Sequence, residues 1–492
     1  MATAVATKTY KNLIDGEWFE KNEQFDVENP ATREIVGRVP RCDRKDVDRA
    51  VKAARVAFES GKWPKMSAGD RGRLLYKIGQ LIRENAEEFA RLESITNGKP
   101  IRETRLADVA LAADCFEYYA GYTNKIHGET VPTPGNSFNY TLREPVGVVA
   151  QIIPWNFPLL MAAWKIAPAL CAGNTVILKP ASITPLTALK LAEVITEAGV
   201  PRGVVNVITG PGAEIGEYLA SHPEVDKVAF TGETVTGRLI MQMASGTMKK
   251  VSLELGGKSP NIVFADADLN KAVDGALFGI FFNQGQVCCA GSRLFVEEGI
   301  YDEFVKRFVE KARKIRVGDP LDENTQMGAL ASESQLRKVS EFVEIGQREG
   351  ATLAYGGNPI TNLPGYFFEP TIFTNVTNTM RIAQEEIFGP VVCVIKFKDE
   401  KDAIFQANDT IYGLASAVWT QDLTKAHRVA RAIKAGTVWV NTYNQLPNEA
   451  AFGGYKQSGV GRELGVHALE LYTQVKSVFV DLNEKPMGWY DN

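Results

Sequence analysis

Thr175-Val-Ile-Leu178, Val204-Val-Asn-Val-Ile208, Val228-Ala-Phe230 and Val251-Ser-Leu253 are four short apolar runs, and the segments between them, 185–198, 213–221 and 234–244, have helical periodicity. Short buried strands alternating with amphipathic helices predict βαβ units and a parallel sheet with crossover helices. Ligands of such sheets sit at the carboxyl ends of the strands. Lys179, Gly210, Gly212, Gly232 and Glu254 all fall there.

Outward from this core, a second α/β pattern follows. Strands are expected at 261–264, 294–296, 391–397, 414–419 and 437–441, with long helices at 302–315 and 332–348 between them. On the amino-terminal side come short strand-like pieces at 12–19 and helices at 46–59, 68–96 and 103–122. Phe138, Tyr140 and Leu142 alternate with polar residues, as do Val478, Val480 and Leu482. Strands so far apart in the chain can pair with each other and leave an edge for another subunit.

A chain of 492 residues exceeds what one ordinary core supports, so two or three domains are expected. Its net charge is −4 with no long basic run, which argues against nucleic acid as a partner. The six cysteines, at 42, 115, 171, 288, 289 and 393, show no Cys-x-x-Cys spacing, and histidines number four. That pattern points to a reducing compartment, here read as cytoplasmic, and to no structural metal. Residues 1–10 lack the apolar centre of a secretory signal. Residues 145–164 carry no charge and are long enough for a membrane span, but Pro154, Asn156 and Pro158 interrupt them and Lys165 closes them. A buried strand, a loop and the start of a helix is the better reading, with no membrane anchor.

The chemistry concentrates in Phe281-Phe-Asn-Gln-Gly-Gln-Val-Cys288-Cys-Ala-Gly-Ser-Arg293 and Leu253-Glu254-Leu-Gly-Gly-Lys-Ser-Pro260. A thiol and a carboxylate are the minimum for covalent catalysis. A lone cysteine is more often a small buried hydrophobe. The amides and glycine at Asn283, Gln284, Gly285 and Gln286 weigh against that for Cys288, because a packed core does not favour them. Glutamate is commonly a surface residue, yet leucines flank Glu254 and two glycines follow, the setting of a desolvated base. Asn156, in Pro154-Trp-Asn-Phe-Pro158, alone reads as a turn residue, and only Cys288 and Glu254 beside it suggest more.

Four motifs in order, the Gln-Gly-Gln-Val-Cys-Cys run, Leu-Glu-Leu-Gly-Gly-Lys, Pro-Trp-Asn-Phe-Pro and Glu-Glu-Ile-Phe-Gly-Pro, resemble signatures of the aldehyde dehydrogenase superfamily. The resemblance implies a Rossmann-like cofactor domain (1–125 and 145–256), a second α/β catalytic domain (257–470) and a small β oligomerisation arm (126–144 and 471–492), in a homotetrameric dimer of dimers. It implies hydrolytic oxidation of an aldehyde with NAD or NADP. Cys288 adds to the carbonyl, a thioester forms, Glu254 activates water, and the Asn156 amide with the Cys288 N–H holds the oxyanion.

Gly210-Pro-Gly212-Ala-Glu-Ile-Gly216 departs by one residue from the G-x-G-x-x-G spacing and read alone is a strand-to-helix turn. Phe230-Thr231-Gly232-Glu233 opens the next helix, and in the family it faces the pyrophosphate. By resemblance, Lys179 contacts the adenine ribose, Glu386 holds the nicotinamide ribose, and Phe388 and Trp155 lie by the cofactor. Two residues depart from the pattern. Ser182 stands where NAD-preferring relatives often carry glutamate, which points to acceptance of NADP. Glu233 places an extra negative charge where a small or hydroxylic residue is common. Phe157, Trp164, Phe282 and Phe452 match positions lining an apolar tunnel, which favours uncharged aliphatic or aromatic aldehydes, although core packing is the ordinary fate of such residues. Glu463 resembles a second carboxylate that relays protons or binds polar substrate ends. Rival readings are a CoA-acylating enzyme of this fold, disfavoured by Glu254, and a non-catalytic nucleotide-binding protein, disfavoured by Cys288 and Asn156. A cysteine hydrolase is disfavoured because none of the four histidines sits in a segment resembling an activating base.

Overall fold

The computed structural model describes residues 8–490, so part of the 1–10 segment and the last two residues of the expected arm lie outside the described residues. The first sheet contains five parallel strands: β1 (Val148–Ile152), β2 (Thr175–Lys179), β3 (Val205–Val207), β4 (Lys227–Thr231) and β5 (Lys250–Glu254). Their order is β5-β4-β1-β2-β3, with the hairpin Asn12–Ile14 and Glu17–Phe19 beyond β3 and Gly459–Val460 antiparallel on β5. Every residue of these five strands except Lys250 and Val251 is buried, as strands covered by helices on both faces must be. The crossovers are α1 (Pro158–Cys171), α2 (Leu186–Ala198), the short segment Gly212–Ser221 between β3 and β4, and α3 (Thr234–Ala244).

Strand order reverses between β1 and β4, and at that switch point the loops leaving the two strands diverge and open a crevice. In-register pairing sets Ile152 beside Lys179 and Thr231 beside Glu254 along one rim. The loop carrying Asn156 leaves β1 there, and the loop carrying Gly232 and Glu233 leaves β4.

Leu255–Ser259 crosses to the second sheet, where β6 (Pro260–Val263), β7 (Arg293–Glu297), β8 (Thr352–Tyr355), β9 (Thr371–Thr374), β10 (Val391–Phe397), β11 (Ala415–Trp419) and β12 (Thr437–Val440) stand in the order β8-β9-β10-β7-β6-β11-β12. Only the β8–β9 pair is antiparallel. Helix α4 (Leu269–Phe281) follows β6 and delivers the chain to the nucleophile segment. A third sheet pairs Ser137–Pro145 with Thr473–Asp481 and adds Thr130–Val131. Phe138, Leu142, Val475 and Phe479 are exposed on it.

Several expected elements differ in detail. The 68–96 helix is two, Ala68–Glu84 and Ala86–Asn97, because Asn85 turns its side-chain amide back on the Leu81 carbonyl at 2.8 Å and ends the first. The 103–122 helix starts at Ile101 and passes through a π turn, Thr104–Val109, before Ala110–Ala120. The helix expected over 213–221 likewise opens with a π turn, Gly212–Gly216. Strands Gln24–Glu28, Ile35–Pro40, β8 and β9 had no clear sequence signal. Lys165 does not close the apolar run: α1 continues to Cys171 with every residue buried. Among the described residues no helix is long and apolar enough to cross a membrane.

Candidate active site

One cavity of about 1070 Å³ lies at the switch point, between the strand ends of the first sheet and the nucleophile segment of the second. Past α4, Asn283, Gln284 and Gly285 take φ of 49°, 56° and 70°, three left-handed residues in a row. Such a turn persists only when its surroundings hold it. The Gln284 amide donates to the Ala329 carbonyl at 3.1 Å while its oxygen accepts from Gly328 N–H at 3.1 Å, and the Gln286 oxygen accepts from Ala331 N–H at 3.0 Å. At Gly285 a Cβ would fall 2.1 Å from the Gly389 carbonyl oxygen, so the turn needs glycine for space as well as for φ. The amides that argued against burial are therefore buried themselves, each paired to backbone; they fasten the turn and do not face the cavity.

This turn presents Cys288, half-buried on the cavity wall. Cys289 is buried with its Sγ 3.6 Å from Asn444 Oδ1. Between two adjacent thiols, Cys288 is the reachable one. Contact with the Cys289 thiol, then burial, then the charges of Glu386 and Glu254 push the Cys288 thiol up, so it rests protonated. Gly257 lets the inter-sheet crossing pass behind it, since a Cβ there would lie 2.4 Å from the Cys288 carbonyl oxygen.

Asn156 faces the same turn from the first sheet. Its amide donates to the Gln286 carbonyl at 2.9 Å, which leaves its second N–H for another acceptor. Its own carbonyl accepts from the Asn283 amide at 2.9 Å, and Asn97 donates to the neighbouring Trp155 carbonyl at 2.8 Å.

Glu254 ends β5, buried, with Oε2 lacking any protein partner. Burial first, then the charge of Glu463, raises its carboxyl well above the usual range, against the opposing pull of Lys165 and Arg462. Lys165 is the residue that sequence reasoning missed. Its ammonium donates to Thr231 Oγ1 at 2.6 Å and to Glu463 Oε1, joining β4 to the carboxyl pair. A single charge in an otherwise apolar helix was the available signal, because a fully buried ammonium requires an anionic partner.

On the cofactor side, Glu386 Oε1 accepts from Gly257 N–H at 2.8 Å, and burial lifts its carboxyl to about 7. Phe388, at φ 60°, is held by Gln335 donating to its carbonyl at 2.5 Å, and meets Trp155 edge-on with centroids 5.2 Å apart. Thr231, Gly232 and Glu233 line the cavity too, and Glu233 caps α3 without a side-chain hydrogen bond. Lys179, Ser182, Gly212 and Gly216 do not line it; they sit farther along the same strand ends. Lys179 is buried, donates only to the Pro180 carbonyl at 3.1 Å, and is brought down to about 8 by burial alone. The Ser182 hydroxyl donates to the Gly210 carbonyl at 3.0 Å. Gly216 lies against the Lys179 stem, and a Cβ on Gly212 would meet open space.

Aromatic rings form the remaining wall: Phe157 stacks on Phe282 at 6.1 Å, and Trp164 meets Phe452 at 5.6 Å. Glu463 lines the cavity as well, but so do Arg102, Glu103, Asp274, Lys311 and Lys314, which sequence reasoning did not include. All but the buried Glu103 are at least partly exposed, they come from several elements, and no local pattern announces that they converge.

An elongated anionic dinucleotide fits this crevice: an ammonium without a carboxylate partner at one end, open space at Gly212, a helix N-terminus between, and the Glu386 carboxyl beside the thiol. A profile described as "Aldehyde dehydrogenase family" matches residues 18–478. An aldehyde dehydrogenase of Emericella nidulans is 52% identical over 465 residues, covering 94% of this chain and 93% of that one. The mitochondrial aldehyde dehydrogenase of Homo sapiens is 50% identical over 478 residues, with 96% and 92% covered. The NAD+ complex of an aldehyde dehydrogenase from Bacillus cereus superposes with TM-score 0.96 at 48% identity, covering 97% of each chain. With sequence, fold and the thiol-bearing crevice all in agreement, this chain belongs to the aldehyde dehydrogenase family and oxidises aldehydes.

Proposed function

We propose that the chain oxidises uncharged aliphatic or aromatic aldehydes to carboxylic acids through a thioester on Cys288, with NAD and also NADP as cofactor. The observation that supports the route most is the convergence of Cys288, an Asn156 N–H not used by the fold and the unpartnered Glu254 oxygen on one cavity.

As the Cys288 S–H bond breaks and Sγ bonds to the carbonyl carbon, the proton passes to the unpartnered Glu254 carboxylate and from it towards Glu463, and the carbonyl oxygen becomes an alkoxide held by Asn156 Nδ2 and the Cys288 N–H. A nicotinamide dinucleotide, when bound, supplies the hydride acceptor. Glu386 would hold its nicotinamide ribose and Lys179 its adenine ribose. Once the carbon is a thioester, Glu254 takes a proton from water, the hydroxide adds to carbon, and the C–S bond breaks to return Cys288 and release the acid. Glu463, held by Lys165 and close enough to Glu254 to raise its carboxyl, is the group onto which that proton can move.

Replacing Glu254 by Gln tests the route: about one equivalent of reduced nicotinamide per site should form in a burst and turnover then stall, whereas full steady-state turnover would refute the role. Release of acyl-CoA only on adding CoA would favour the acylating alternative.

Acceptance of NADP rests on the lack of a carboxylate beside Lys179 and on a Ser182 hydroxyl turned to backbone; no activity with NADP at saturating aldehyde would reject it. The relatives of known cofactor include NAD+ complexes from Bacillus cereus and Staphylococcus aureus. The exposed apolar residues of the arm support assembly into a dimer of dimers, and a monomeric mass by light scattering would exclude it. The free cysteines support a reducing, cytoplasmic location, which fractionation with a compartment marker checks.

A further inference from the structure

Among the carboxyls that line the cavity, Glu103 is a buried one to which the route above gives no task. It stands where the helical segment Ile101–Glu103 gives way to the π turn Thr104–Val109, and it is buried. Its Oε2 accepts from the backbone N–H of Asn283 at 3.0 Å, the first residue of the left-handed turn. From Asn283 the side-chain amide reaches the Asn156 carbonyl at 2.9 Å and the Gln286 carbonyl at 3.3 Å. Asn156 Nδ2 closes the circuit on that same Gln286 carbonyl. One N–H anchored by Glu103 thus fixes both the turn that carries the thiol and the loop that carries the oxyanion donor.

We propose that Glu103 is a positioning residue for the reaction, setting the distance between Cys288 and Asn156 through Asn283. This rests on Cys288 as the nucleophile. The role needs an acceptor oxygen at that reach and does not need a negative charge. Burial raises the Glu103 carboxyl to about 8, against the opposing pull of Lys99, of the Asn283 N–H and of Arg102. Lys99 pairs with Asp108 at 2.6 Å and lies 3.7 Å above the Phe157 ring, and Glu93 accepts from Leu159 N–H at 3.2 Å, so the same buried cluster also supports the loop after Asn156.

The test compares Glu103→Gln, Glu103→Asp and Glu103→Leu in single-turnover hydride transfer and in the steady state. Gln keeps an oxygen at the same reach and should stay within about threefold of the parent burst rate. Asp is one methylene short and Leu has no acceptor, and both should lose on the order of 10-fold or more in burst rate with KM for NAD unchanged, because small misplacements of reacting groups cost that much. If Gln falls as far as Asp, or if Asp and Leu keep the parent rate per titrated thiol, the proposal is overturned. Should the Leu protein fail to fold, the Gln and Asp pair still decides it. Loss of turnover in Cys288→Ala is a separate result that tests the nucleophile and leaves this comparison untouched.

Discussion

At Asn156 one side-chain N–H binds the turn through Gln286, and the other is left for the oxyanion that the proposed route develops. Asn156→Ala should therefore lower kcat by about 100-fold or more, the usual loss for one oxyanion donor, with little change in cofactor KM. Initial rates over a matrix of aldehyde and cofactor concentrations check this; a loss confined to KM would move Asn156 from the chemistry to binding. Contact with the Cys289 thiol and burial raise the Cys288 thiol, and burial with the charge of Glu463 raises the Glu254 carboxyl, so each holds a proton more tightly than a free group does. Of these three residues, all were legible as candidates in sequence. The contacts that brace them, Lys165 with Glu463 and Glu103 with Asn283, were not, because they join positions 298 and 180 residues apart.

The π turn at Thr104–Val109 is the element whose role is least visible in sequence. It buries Thr104, Asp108 and Val109 within one widened coil and brings Asp108 onto Lys99 in a site with no water-exposed surface. Glu93, raised to about 8, shares that site. Lys99→Met would leave these carboxyls without their cation. A loss of about 3–5 kcal/mol in unfolding free energy is expected for breaking such a buried pair. The deficit should shrink at pH 5, where the carboxyls can take up protons instead; chemical denaturation at pH 5 and pH 8 measures both, and an equal deficit at the two values would contradict the account. The βαβ series itself was legible because its strands are short, apolar on both faces and regularly spaced. Strand β8 was missed because it lies at the sheet edge, only half-buried and with a weak pattern, and β9, buried between β8 and β10, because it is only four residues long.

For the whole molecule, the buried acids of the crevice set a pH dependence. Glu93, Glu103 and Glu386 hold their protons to about 8, 8 and 7 in the folded chain and release them near 4.5 when unfolded. Between those limits the folded state binds more protons, so stability falls as pH rises, by about 1.4 kcal/mol per unit for each such group as an upper bound. Lys179, Lys227 and Lys258, lowered to about 8, 7 and 8, act oppositely, but only once pH passes their folded values. The cofactor-free protein should therefore show a lower Tm at pH 8 than at pH 6. A scanning-calorimetry series in buffers of matched ionic strength checks it, and a Tm that climbs from pH 6 to pH 8 would mean that these groups ionise freely in the fold.

Period and spacing along the chain determined the parallel sheet and the strand ends where a ligand belongs, and local context marked Cys288 and Glu254 as the candidate thiol and base, since each of these depends on residues near one another in sequence; Asn156 became a candidate only beside them. Tertiary structure alone decided how exposed each of the two adjacent thiols is, that the flanking amides brace the turn from inside, and that Lys165 pairs with Glu463 and Glu103 with Asn283. Those outcomes depend on burial and on contacts between distant segments, and a side chain's exposure and partners exist only once the chain has closed on itself.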